Sequence, residues 1–154
     1  MVLIWAVRGF RAAESPAHPM VARTKAWLAD VSRQKTAIIV PAPVIGEFLA
    51  GVDAAQHVAA ATELAKHFTV VGYGMVAAVR FAELWQVVYG TGKPGADGRR
   101  HKVDMQIVAC ALAARADAIC SHNDDVRRFG AGRISVIEVP PVKPTQRTIP
   151  LADA

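Results

Sequence analysis

The chain has 154 residues and a formal net charge of +5, with 53% hydrophobic and 20% charged residues. That composition excludes a disordered or fibrous protein and predicts one helix-rich unit with a core that needs neither disulfide nor structural metal. The apolar opening MVLIWAV runs seven residues before Arg8, far below the ~20 of a membrane span, and it lacks the basic leader of a secretion signal. Cys110 and Cys120 form no C-x-x-C pair and read as small buried hydrophobes,, so a cytoplasmic setting is expected. The positive charge favours a polyanionic partner only modestly.

In chain order, a polar, proline-containing connection, FRAAESPAHP, leads into a helical pattern from Met20 to about Arg33. Val21, Thr24, Trp27, Leu28 and Val31 are spaced there for one buried face. TAIIVP is too short for a helix and apolar on both sides, which suits a buried parallel strand. PVIGEFLAGV opens a helix with proline in a favoured early position, and Asp53 is placed to cap the helix that follows. FTVVGYG reads as a second strand and Met75 to Tyr89 as a long helix. GTGKPGADGRRHK, rich in Gly, Pro and basic residues, reads as a mobile loop. VDMQIVACALAARA is a helix with Val103, Ile107, Ala111 and Ala114 along one side. The strand DAICS, a short helix or turn through Arg128 and the strand ISVIEV complete the pattern. Residues 1–139 are expected to form one domain and residues 140–154, with four prolines, an extended tail.

Helices alternating with short apolar strands imply an α/β fold, a parallel sheet with helices on both faces, whose ligands bind at the carboxyl ends of the strands. Three acidic positions fall on that rim. Glu47 lies about one helical turn past the strand ending near Val40, Asp104 is expected at the start of a helix, and Asp124 and Asp125 follow the strand DAICS. Adjacent carboxylates repel, so the Asp pair suits either a bound cation or two side chains in water. Oxygen donors without a His/Cys cluster favour Mg²⁺ or Mn²⁺ over zinc, and such an ion can activate water for phosphodiester hydrolysis. Taken singly, each acid also fits a plainer role: a helix-start charge, a solvated helix residue, a turn.

IIVPAPVIGEFLAG and HKVDMQIVACALAARADAICSHNDDVRRFG together resemble PIN-domain ribonucleases, in particular the VapC-type toxins of type II toxin–antitoxin systems. The resemblance runs from Leu3 to about Pro140. It implies that Glu47 matches the acid of an E-(F/L)-L-x-G helix, that Lys102 and Asp104 match a K-x-D entry to an alanine-rich helix, and that Ser121 matches the hydroxyl ending the next strand. The family has Asp two residues after that hydroxyl. Here the position is Asn123, so the acidic role passes first to Asp125 and second to Asp124, while Ser121 and Asn123 orient water or a carboxylate from behind.

The amino terminus departs further. VLIWAVRG matches the family's first helix, so the first strand and its Asp would lie upstream of Met1. That strand is central in the family's sheet, and without it two neighbours keep unpaired backbone groups at roughly 1–3 kcal/mol each if buried. A start assigned too late, a truncated or decayed gene, and VLIWAV itself as the strand, which its Val, Ile and Trp suit, are the three explanations.

What the resemblance implies is a metal-dependent endoribonuclease toxin: Glu47, Asp104 and Asp125, with Asp124 in reserve, hold Mg²⁺ or Mn²⁺ for RNA hydrolysis. A homodimer and a cognate antitoxin are implied as partners. Arg99, Arg100, His101 and Lys102, just before Asp104, are placed either to draw an RNA phosphate to the metal or to form a solvated loop. Trp85 and Tyr89, one turn apart, suit either base stacking or a core or subunit contact. The alternative reading is a truncated, catalytically inactive PIN-like module that binds the antitoxin. A receiver-type phosphoryl-transfer domain fits less well, because TAIIVPAP supplies no acceptor Asp.

Overall fold

The computed structural model describes residues 19–92 and 96–141, apart from the side chains of residues 19, 96, 97, 99 and 100. The opening VLIWAV and the tail beyond residue 141 lie outside the described residues. Helices dominate: α1 (Pro19–Arg33), α2 (Ala42–Leu49), α3 (His57–His67), α4 (Met75–Tyr89), α5 (Ala96–Ala113) and α6 (Asp124–Gly130). Among the described residues there are four three-residue strands, β1 (Ile39–Pro41), β2 (Thr69–Val71), β3 (Ala118–Cys120) and, after the last helix, β4 (Ser135–Ile137). Among the described residues no helix is long and apolar enough to cross a membrane.

Local chemistry sets the boundaries. Pro43 stands in the first turn of α2, where no N–H is needed for the helical ladder. Asp53 caps as expected, but its carboxylate accepts from Ala55 N–H and closes a 3₁₀ turn, Ala54–Gln56, that precedes α3. Gly90 ends α4 with φ +64°, a conformation that suits glycine, and its N–H donates to Gln86 O,.

All strand pairing among the described residues is parallel, as the alternating pattern predicts. β1 pairs with β2, Val40 opposite Val70, and β3 pairs with β4, Ile119 opposite Val136. The described residues nonetheless form two two-stranded sheets and no continuous one. The core divides in the same way: Val40, Phe48, Val52, Ala60 and Leu64 pack on the first sheet. Leu84, Met105, Val108, Ala109, Ile119, Val126 and Phe129 form the core around the second. Helix α5 joins the halves, since it touches β1 and α2 on one side and α4, α6 and β3 on the other.

Two expectations about α5 need correction. The basic stretch expected as a mobile loop is helical from Ala96 onward, so Asp104 sits in the third turn of the helix and not at its start. Gly98 is buried, and burial against the body of the protein outweighs glycine's poor intrinsic propensity. The buried face is also rotated: Ala111 is buried as expected, together with Met105, Val108, Ala109 and Cys110, whereas Val103 and Ile107 are half-buried and Ala114 is exposed.

Candidate active site

Where β3 ends, a short chain of hydrogen bonds builds the acidic corner. Ser121 N–H donates to Ile137 O at 2.9 Å and extends the β3–β4 ladder by one residue. Its Oγ accepts from Asn123 N–H at 3.1 Å, fixing the turn. Asn123 then caps α6, its Oδ1 accepting from Asp125 N–H at 2.8 Å. The same side chain donates through Nδ2 to Asp104 Oδ1 at 2.8 Å, so one amide ties the middle of α5 to the first turn of α6. Both lobes of Asn123 are thus engaged by protein.

The neighbouring carboxylates avoid each other by diverging. Asp124, with 94% of its side chain exposed, accepts from Arg127 Nη1 at 2.8 Å. Asp125 turns inward: it is 26% exposed and its Oδ1 lies 3.6 Å from His101 Nε2. The other ring nitrogen of His101 meets the hydroxyl of Tyr89 on α4. Tyr89, His101 and Asp125 therefore form a line from α4 through α5 to α6. Both acids occupy the first turn of α6, where exposed N–H groups favour negative charge.

His122 faces the segment that follows β4. Its Nε2 accepts from Val139 N–H at 3.3 Å and its Nδ1 lies 3.5 Å from Glu138 Oε2. A ring nitrogen that accepts carries no proton, which places the proton on Nδ1 toward Glu138. Glu138 also binds Arg127, and Arg23 of α1 donates to the carbonyls of Val139 and Pro140. Cys120 sits beside this group, and burial, with the charge of Glu138 second, pushes its thiol up to about 11. Cys110 is buried and its thiol is likewise raised by burial.

Of the remaining expected site residues, Glu47 is exposed on α2, which packs against α5. Arg99 and Arg100 lie within α5 and not in a loop, their side chains outside the described set, while Lys102 is exposed with Nζ 5.9 Å from the Trp85 ring centroid. Among the described residues no three His, Cys, Asp or Glu side chains come close enough to hold a metal ion, so Glu47, Asp104 and Asp125 do not form one ligating group as they stand. The donor chemistry of the corner still fits a hard cation: two carboxylates and an amide oxygen, all reachable from water. Glu138 carries no local signal in the sequence, and the line of Tyr89, His101 and Asp125 arises only from the packing of three helices.

The PIN domain family model matches residues 12–132, which span α1 through α6, and the chain belongs to the PIN domain family. No match was found among curated proteins or among solved structures. PIN domains are typically nucleases and generally use divalent metal ions.

Proposed function

We propose that the chain is a metal-dependent endoribonuclease of the VapC toxin type. The observation that supports this most is the convergence of Asp104 and Asp125, through Asn123, at the carboxyl end of β3, where a fold of this class binds ligands,. Asp104 and Asp125 would hold Mg²⁺ or Mn²⁺, joined by Glu47 from α2, with Asp124 the second choice at the helix start. When bound, such an ion supplies activation of water and neutralisation of charge on the phosphodiester.

The chain's own groups do the rest. Arg99, Arg100 and Lys102 draw the RNA backbone toward Asp104 through contacts that carry no base information. Asn123 and Ser121 hold the two acids in register, and His101 fixes the rotamer of Asp125. A homodimer, a cognate antitoxin that blocks the acidic corner and a cytoplasmic location belong to the same proposal.

The test is hydrolysis of single-stranded RNA by the purified protein in Mn²⁺ or Mg²⁺, with a chelator control. Metal-dependent cleavage that Glu47→Gln, Asp104→Asn and Asp125→Asn each abolish supports the reading, and metal-independent cleavage, or cleavage that survives all three, defeats it. A second reading, a binding module for the antitoxin without catalysis, draws support from the protein partners that Asp104 and Asp125 already have. It requires that the folded protein bind antitoxin and leave RNA intact.

A further inference from the structure

Phe81, Trp85 and Tyr89 recur every fourth residue on α4 and so form one row along the helix. Their rings are in contact, with centroids 5.5 Å apart for Phe81 and Trp85 and 4.7 Å apart for Trp85 and Tyr89. The row rests on the core around β3 but is only half-buried. On its outer side lies a groove of about 440 Å³ lined by Phe81, Trp85, Gln86, Gly90 and Lys102 among others. An aromatic face, a side-chain amide and a cation thus share one concave surface.

We infer that this groove is a subsite for one unstacked nucleobase of single-stranded RNA. Trp85 provides the stacking face, the Gln86 amide meets the base edge, and Lys102 binds the adjoining phosphate. Every base has a π-face, so an aromatic platform with a nearby cation is the chemistry that holds single strands. Lys102 now stands over the Trp85 ring,. An arriving base takes that place and leaves the ammonium to the phosphate.

Location supports the assignment. Tyr89, in tilted ring contact with Trp85, meets His101 through its hydroxyl, and His101 lies against Asp125. The groove is therefore two ring contacts from the acidic corner, within reach of one strand whose neighbouring phosphate is at the acids. A charged Lys102 in the lining argues against a face for self-association, because interface centres are depleted in charge. The inference rests on the proposal that RNA is the substrate, and the test is chosen to separate the two.

The experiment measures fluorescence anisotropy of a labelled hexaribonucleotide titrated with the intact protein in chelator, so that cleavage plays no part. Trp85→Ala is expected to weaken binding roughly five- to 150-fold, the range for loss of one base stack, while Trp85→Phe stays within a few-fold of the wild type. Removing the base at one position of the oligonucleotide should weaken wild-type binding to a similar degree and cost nothing further in Trp85→Ala. A fully paired duplex should show no dependence on Trp85.

If abasic oligonucleotides bind the wild type as tightly as the intact strand at every position, the subsite does not exist. That arm uses unaltered protein and decides the matter even if Trp85→Ala fails to fold. Unchanged RNA affinity in Trp85→Ala, together with loss of a wild-type dimer in sedimentation, would instead make the groove an interface between copies and overturn the inference. Base-dependent binding without any metal-dependent cleavage would retain the subsite and remove the nuclease proposal.

Discussion

Asn123→Asp isolates the contact that joins α5 to α6. Aspartate caps a helix as well as asparagine, so the bond from Asp125 N–H is retained. The Nδ2 donor, 2.8 Å from Asp104 Oδ1, is replaced by a second carboxylate. Because Asn123 is exposed, the lost bond is worth about 1 kcal/mol, below the ~1.5–3 kcal/mol of bonds to charged groups. Two carboxylates that relax to ~4 Å in a water-like setting repel by roughly another 1 kcal/mol. The metal-free protein should therefore lose about 1–2 kcal/mol, or ~2–8 °C in Tm for a chain of this size. With Mn²⁺ present the added carboxylate becomes a further donor, so the ion should raise the Tm of the variant more than that of the wild type. Circular dichroism melts with chelator and with Mn²⁺ measure both effects. Equal stability in chelator would refute the role given to the Asn123–Asp104 bond, and an equal Mn²⁺ shift in both proteins would refute the claim that this corner faces a cation.

Thr24 is fully buried and its hydroxyl has no hydrogen-bond partner among the described residues; Thr24→Val, nearly the same shape, should stabilise the protein by about 1 kcal/mol in chemical denaturation, and destabilisation would reveal a partner for that oxygen. A Cβ at Gly130 would lie 2.9 Å from Val136 Cγ2 and 3.3 Å from Ile134 Cγ2; Gly130→Ala should cost about 1–3 kcal/mol by overpacking, read from the same denaturation midpoint. The Cys120 thiol, pushed up to about 11 from 9.0, holds its proton more tightly folded than unfolded. Its contribution to stability is thus complete below pH 9 and lost as pH rises toward 11. Cys120→Ala should flatten the fall in stability over that window, and native Cys120 should alkylate slowly at pH 8.

Much of the fold is legible in the sequence because local signals agree with the final packing. Gly74 and Gly90 bracket α4 at the limits expected, and the short β-branched runs become strands with parallel partners. The start of α5 is not legible, because Pro94, Gly95 and Gly98 all read as breakers and only tertiary burial of Gly98 overrides the local preference. The face of α5 is ambiguous for a related reason: alanines on every side blur the apolar stripe. At the site, the polar run after β3 marks the corner correctly as a place where a strand ends. Asp124–Arg127 and Asp125–Arg128 share the same i, i+3 spacing, so no local pattern shows that Asp124 turns outward to Arg127. Tyr89–His101 and Asn123–Asp104 depend on how helices pack, and no local pattern carries them.

The central claim, that Glu47, Asp104 and Asp125 act on one divalent ion, is tested most directly by calorimetric titration of Mn²⁺ into the wild type and four single variants. Glu47→Gln, Asp104→Asn and Asp125→Asn should each weaken binding by at least tenfold. Asp124→Asn, which alters a solvent-facing side chain held by Arg127, should leave it nearly unchanged. Mn²⁺ affinity that is indifferent to Asp104 and Asp125, in variants that melt like the wild type, would contradict the claim.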